Sequence, residues 1–279
     1  MPEVTAEDGV ALHWDERGSG PTVLLTPYWA MHPSVFDPIE EVFLDEGFRV
    51  LRFDERGTGQ SDRTGPYDMA TGVSDLRAVC DALGPVEVAV CLIDSANRAV
   101  RVAESDPELL RSVFCVGAAP VGVGAFRDSE SLLSSETVVR TYLHQLESDY
   151  RGAIRAALSG ANTQLTDEEV RARVQTQMDY IEAEAAAVRA REWAHDTGAE
   201  EPGRMLGSRL SVCLSETMGG EGSWFPSLEE MEPVTREVFP EAQILFSPDG
   251  IVSAPREIVE AVKRSLTGAA ETQTYHPGS

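Results

Sequence analysis

The sequence predicts an α/β protein: a mostly parallel central sheet flanked by helices, with a helical block inserted between two α/β halves. Three observations predict it. The first is the stretch 86–103, VEVAVCLIDSANRAVRVA, where a β-branched apolar run through Ile93 changes at Asp94-Ser95 into a helical pattern. A buried strand that passes at once into a helix puts its turn at the carboxyl end of a parallel sheet. The second is the alternation of strand and helix before residue 121. The third is a purely helical texture over 122–206, after which alternation returns.

Each element has its own signal. Residues 10–16 and 22–26 alternate or run apolar as strands around the turn Gly18-Ser19-Gly20-Pro21. Val35, Phe36, Ile39, Val42 and Phe43 give 33–46 a helical spacing, and 48–53 is a further strand. That strand runs into the Gly-rich turn 54–62, DERGTGQSD. It lacks the G-K-[ST] ending of a phosphate loop. A helix over 74–83 closes at Gly84-Pro85, and 112–116 is the strand after the central stretch. Residues 129–148, 150–159 and 166–195 all read as helix, the last one opened by a Thr166–Glu169 capping box. The strands 209–214 and 243–247 then alternate with helices 227–239 and 255–266. The polar tail after 266 reads as frayed.

The 279 residues are 42% hydrophobic and 25% charged, an ordinary globular composition, with a formal net charge of −24. That charge disfavours nucleic acid and anionic membrane surfaces as partners. Cys80, Cys91, Cys115 and Cys213 form no C-x-x-C pair and no ligand spacing with histidine, so no metal is expected. No stretch has the pattern of a signal peptide or the length of a membrane span. The expectation is a cytoplasmic protein with reduced thiols, a monomer or homodimer, needing no cofactor and taking a small-molecule substrate.

Four segments carry a resemblance: Thr22-Val23-Leu24-Leu25, the turn 54–62, the turn 93–97, and Trp224-Phe225-Pro226. Together they resemble the α/β-hydrolase superfamily over nearly the whole chain, nearest its single-cap branch of esterases, epoxide hydrolases and dehalogenases. The resemblance implies an α/β-hydrolase core over 1–121 and 207–266, a helical cap over 122–206, and a flexible tail over 267–279.

The resemblance also marks where the site departs. The family's first long strand ends in His-Gly; here the pair is Thr26-Pro27, which leaves Tyr28 and Trp29 as the neighbouring backbone donors. At the elbow, the family's G-x-S-x-G lacks its glycines. Asp94 fits as a nucleophile by the D-x-G-x-R pattern, Ser95 fits by residue type, and both fit as caps of the helix. The family's acid falls on or near Gly222, with Glu221 the nearby carboxylate. Its histidine should follow 243–247, where residues 248–253 read PDGIVS.

His276 lies beyond the last helix and reads as a tail residue, and Asp249 is an acid only if His276 is the base. His13 reads as structural, His195 as a favourable cation at a helix end, and His144 lies on a cap helix. His32, beside the oxyanion loop, is the substitute acid or base.

Tyr28, Trp29, Trp224, Phe225, Phe126 and Tyr142 are the expected substrate-binding residues, with Met178, Tyr180 and Ile181 as further cap positions. The functional expectation is a cofactor-free, non-hydrolytic enzyme acting on a small apolar organic molecule, with Asp94 or His32 moving a proton. The alternatives are an ester or epoxide hydrolase using Asp94 or Ser95, and a ligand-binding pseudoenzyme without chemistry.

Overall fold

The structure, a computed structural model, describes residues 2–29, 31–161, 166–215, 224–247 and 254–267. Eight strands form one sheet in the order β1-β2-β4-β3-β5-β6-β7-β8. They are β1 (Glu3–Thr5), β2 (Ala11–Gly18), β3 (Thr22–Thr26), β4 (Arg49–Phe53), β5 (Val86–Leu92), β6 (Leu110–Val116), β7 (Leu210–Ser215) and β8 (Gln243–Ser247). β1 and β2 pair antiparallel, as do β2 and β4; every other pair is parallel. β5 lies between β3 and β6, with Thr26 opposite Cys91 and Leu92 opposite Val116. Helices cover both faces of this centre, which is why its sequence is a continuous apolar run and not an alternating one.

Helices α1 (Asp37–Asp45), α2 (Met69–Leu83) and α3 (Asp94–Ser105) connect the first half. α3 is almost wholly buried: Ala96, Ala99 and Ala103 share a face and are fully enclosed. Their small side chains let α2 and α8 (Glu200–Leu206) pack closely on it. α9 (Leu228–Val238) and α10 (Pro255–Thr267) complete the core, α9 opening on a capping box of Ser227 and Glu230.

The block between β6 and α8 is the helical insertion. After short 3-10 turns at Val123–Phe126 and Leu132–Ser134 come α4 (Glu136–Ser148), α5 (Tyr150–Ala161), α6 (Asp167–Tyr180) and α7 (Ala183–His195). The Thr166–Glu169 capping box opens α6 as the sequence predicts. The single helix expected over 166–195 is broken at Ile181. There Gly59 N–H donates to Tyr180 O (2.6 Å), Glu182 N–H donates to Gly57 O (2.8 Å), and Ile181 bridges Thr58. The backbone is spent on the Gly-rich turn of the core, so tertiary pairing overrides helix propensity.

Candidate active site

The centre of the site is the turn from β5 into α3. Ile93 has φ 49° and ψ −113°, and among the described residues it is the only non-glycine at positive φ. A β-branched residue there is strained by roughly 1–3 kcal/mol. A strained strand-to-helix turn is where the elbow of an α/β hydrolase places its nucleophile. Here the strained position falls on Ile93, one residue before Asp94 and two before Ser95. The flanking small residues are Cys91 and Ser95, which stand where the pattern G-x-S-x-G has glycine.

Ser95 points away from that position. Its Oγ accepts from Leu92 N–H (3.0 Å) and Thr26 Oγ1 (3.2 Å), and it lies 2.9 Å from Thr26 O and 2.8 Å from Leu92 O, one of which takes its proton. The hydroxyl therefore ties the ends of β3 and β5 together beneath the turn. Nothing in this arrangement presents it for attack on a substrate.

Asp94 is fully buried, and its Oδ2 lies 2.7 Å from Arg98 Nη2. The contact is an ion pair without good hydrogen-bond alignment, and both carboxylate oxygens are otherwise unpartnered. Burial pushes the Asp94 carboxyl above its ordinary range, with Arg98 opposing that rise. Arg98 Nη2 also reaches Glu55 Oε1 (3.1 Å), whose other oxygen meets Arg189 Nη1 at 2.7 Å. Arg189 lies on α7 and donates a second bond to Arg56 O (2.7 Å). A low-dielectric chain of alternating charges thus runs from the elbow through the Gly-rich turn into the cap. A second tie joins α3 to the end of α7, where Asp196 accepts from Asn97 Nδ2 (2.7 Å) and Arg101 (2.6 and 2.9 Å).

His32 stands apart from this chain. Its Nδ1 accepts from Ser34 N–H (3.2 Å) and so caps the 3-10 turn Pro33–Phe36. Its ring meets Tyr180 edge-on at 4.9 Å, and Tyr180 Oη donates to Asp54 Oδ1 (3.1 Å). The charged groups that act on it are Asp37, Asp54 and Arg52, and burial lowers its pKa. The geometry joins His32 to Asp54 and not to Asp94.

Some of the expected binding residues are ring-to-ring neighbours. Tyr28 meets Trp29 edge-on at 5.2 Å, Trp29 lies 5.2 Å from Trp193, and Tyr142 lies 4.6 Å from Trp224. Phe126 is buried in the same apolar cluster as Trp29 and Ile93, and Tyr28, Tyr142, Trp224 and Phe225 pack against it. Burial raises the pKa of Tyr28, and pushes Tyr142 up to about 12, so both phenols stay neutral. The Trp29 carbonyl accepts from Gln177 Nε2 (3.3 Å) and weakly from Tyr150 Oη (3.5 Å), so two cap helices hold the loop after β3. Two clefts on the exterior, about 450 Å3 beside Arg56 and about 520 Å3 between Arg140 and His195, involve no elbow residue.

Sequence reasoning missed Ile93, Gln177, Tyr150 and the Arg98–Glu55–Arg189 chain. The small pair Cys91 and Ser95, two residues either side of Ile93, was the signal available for the first. The positions expected for the family's acid (216–223) and histidine (248–253), with Asp249 and His276, lie outside the described residues. No group of histidine, cysteine and carboxylates suited to a metal ion occurs among the described residues. No described helix is long and apolar enough to cross a membrane.

The chain matches no protein-family model. It is 33% identical over 85 residues to a non-heme haloperoxidase of Rhodococcus erythropolis, a match covering 30% of this chain and 31% of that protein. The chain therefore matches about a third of that relative's length. Among solved structures, an esterase from Exiguobacterium antarcticum superposes with a TM-score of 0.73 at 17% identity, covering 94% of this chain and 98% of the other. A bromoperoxidase from Bacillus anthracis gives 0.76 at 14% identity, covering 95% and 100%.

Proposed function

On its α/β-hydrolase fold, we propose that this chain is a cofactor-free enzyme that works on a small apolar organic molecule without a covalent elbow intermediate. One observation carries the reading: the strained elbow position holds Ile93, whose side chain has no nucleophilic atom. The neighbouring candidates are committed elsewhere, Ser95 to the ends of two strands and Asp94 to Arg98. The chemistry left to such a site is proton transfer and conformational control. Asp94, a buried carboxyl beside the turn whose pKa burial raises and Arg98 opposes, is the group that would accept and return a proton. The aromatic walls fix the reactive conformer, and orientation of this kind supplies on the order of several kcal/mol. Cyclisations, eliminations and rearrangements need no more than this.

The test is intact-mass labelling with a broad fluorophosphonate, run beside turnover of an aryl ester and of styrene oxide. No adduct and no turnover is the expected result. An adduct on the elbow peptide would instead establish a covalent hydrolase. That second reading draws support from the haloperoxidase match and the esterase likeness.

A further inference from the structure

The larger of the two exterior clefts, about 520 Å3, lies on the cap between α4 and α7, and Arg140, Leu143, His144, Glu147, Arg191 and His195 line it. That volume is in the range of small-molecule sites. The sequence builds it from a repeated pattern. Residues 140–144 read RTYLH on α4 and residues 191–195 read REWAH on α7, so each helix carries an arginine with a histidine four residues on. Side chains four apart share a helix face. α4 packs against α7, and the Glu147–Arg191 ion pair joins the two helices. Both guanidinium groups and both imidazoles therefore meet in one cleft.

The charge of this cleft runs against that of the chain, which carries a formal −24. With neutral histidines, two guanidinium charges stand there against the single carboxylate of Glu147. Glu147 is matched by Arg191, and Arg140 has no ion pair among the described residues. Arg140, His144, Arg191 and His195 are all exposed, so their donors are open to a guest from solvent. A guanidinium offers a planar fork to two oxygens at once, and an imidazole N–H adds a single donor. A phosphate monoester carries roughly −1.5 to −2 charge and three strong acceptor oxygens, enough to meet more than one of these heads. A carboxylate has one charge and is filled by one fork. Half-buried Leu143 gives the organic part of such a molecule an apolar wall.

We propose that the cleft between α4 and α7 binds the phosphate group of a small soluble organic phosphate monoester, held by Arg140, Arg191, His144 and His195. It contains no elbow residue, so this second site stands whatever chemistry the elbow performs.

Calorimetric titration of the intact chain with phenyl phosphate and with benzoate, at low salt so that exposed charges are little screened, tests this. Phenyl phosphate should bind more tightly than benzoate by about fivefold, the upper worth of one further exposed ionic contact. Arg140→Gln, and the double variant His144→Gln with His195→Gln, should each weaken phenyl phosphate by about two- to fivefold. Glu147→Gln should tighten it, because the one opposing charge is gone and Arg191 is released. Arg173→Gln changes an exposed arginine of α6 outside the cleft and should leave the affinity unchanged. No saturable binding of phenyl phosphate at millimolar concentration overturns the proposal, as does benzoate binding equally well or better. Weakening by Glu147→Gln, or no weakening by Arg140→Gln or by the double histidine variant, overturns the assigned donors. An equal loss in Arg173→Gln would reduce the effect to overall charge and overturn the site. Phosphatidylcholine vesicles containing phosphatidic acid present the same headgroup on a surface. The acidic chain should not cosediment with them; cosedimentation would assign the cleft to a lipid and overturn the soluble ligand. The substituted side chains are exposed, and the wild-type comparison decides the ligand class without any variant.

Discussion

Ser95 Oγ lies 3.2 Å from Thr26 Oγ1, on the sheet side of the elbow, so the only hydroxyl in the turn joins two strand ends and does not face the site. Ser95→Ala removes the acceptor for Leu92 N–H and the donor to a strand-end carbonyl. Leaving such groups unpaired in the core costs about 1–3 kcal/mol. The urea midpoint should fall accordingly. Unchanged stability together with lost reactivity would restore Ser95 as a nucleophile.

At Ile93 the ordinary ranking of alanine and glycine should invert. Both Ile93→Ala and Ile93→Gly lose a buried side chain, and each should be less stable than the parent by about 2–5 kcal/mol before any backbone gain. Only glycine accepts φ 49° without strain. Ile93→Gly should therefore be the more stable of the two by about 1 kcal/mol, opposite to the order found inside helices. Thermal or urea unfolding of the pair reads this directly, and alanine ahead of glycine would mean the turn is not held in this conformation.

Much of the fold was readable because its signals are local. The run from Val86 to Ile93 and the capping box at Thr166 and Glu169 each declare an element within a few residues. What escaped depends on contacts far apart in the chain. The break at Ile181 exists because Gly57 and Gly59 claim its neighbours' backbone, and nothing between Thr166 and His195 announces that. Likewise the sequence places Arg98 four residues after Asp94 but gives no sign that Glu55 and Arg189, far along the chain, extend that pair. The positive φ at Ile93 was also not legible, because backbone strain at a turn leaves no mark in side-chain chemistry.

Removing Arg98 should expose that dependence. Arg98→Ala leaves the buried Asp94 without its counter-ion, beside the half-buried Glu55, and breaking a buried pair in this way costs about 3–5 kcal/mol near neutral pH. The pH profile gives the sign. The Asp94 carboxyl is raised in the folded state above its ordinary 3.8, so between those values the native protein binds more protons than the unfolded chain. Stability then falls as pH rises through that window. Without Arg98 the rise should be larger and the fall steeper, so the variant should recover part of its loss on acidification toward pH 5. Chemical denaturation of both proteins across that range checks it, and a parallel pair of curves would contradict it.

His32 titrates in the opposite sense. Its folded pKa is lowered below 6.5 by burial, so as pH falls the unfolded chain takes up the proton first. The stability tied to neutral His32 is complete above 6.5 and is lost as pH falls through the lowered folded value. The cap supplies the mechanism: Nδ1 accepts from Ser34 N–H only while it carries no proton. His32→Ala should cost about 0.5–2 kcal/mol at pH 7.5, the usual worth of a helix cap. It should cost progressively less as the wild type loses the same bond in acid. A catalytic base would in addition make the variant abolish turnover; a cap alone predicts lost stability with any turnover kept.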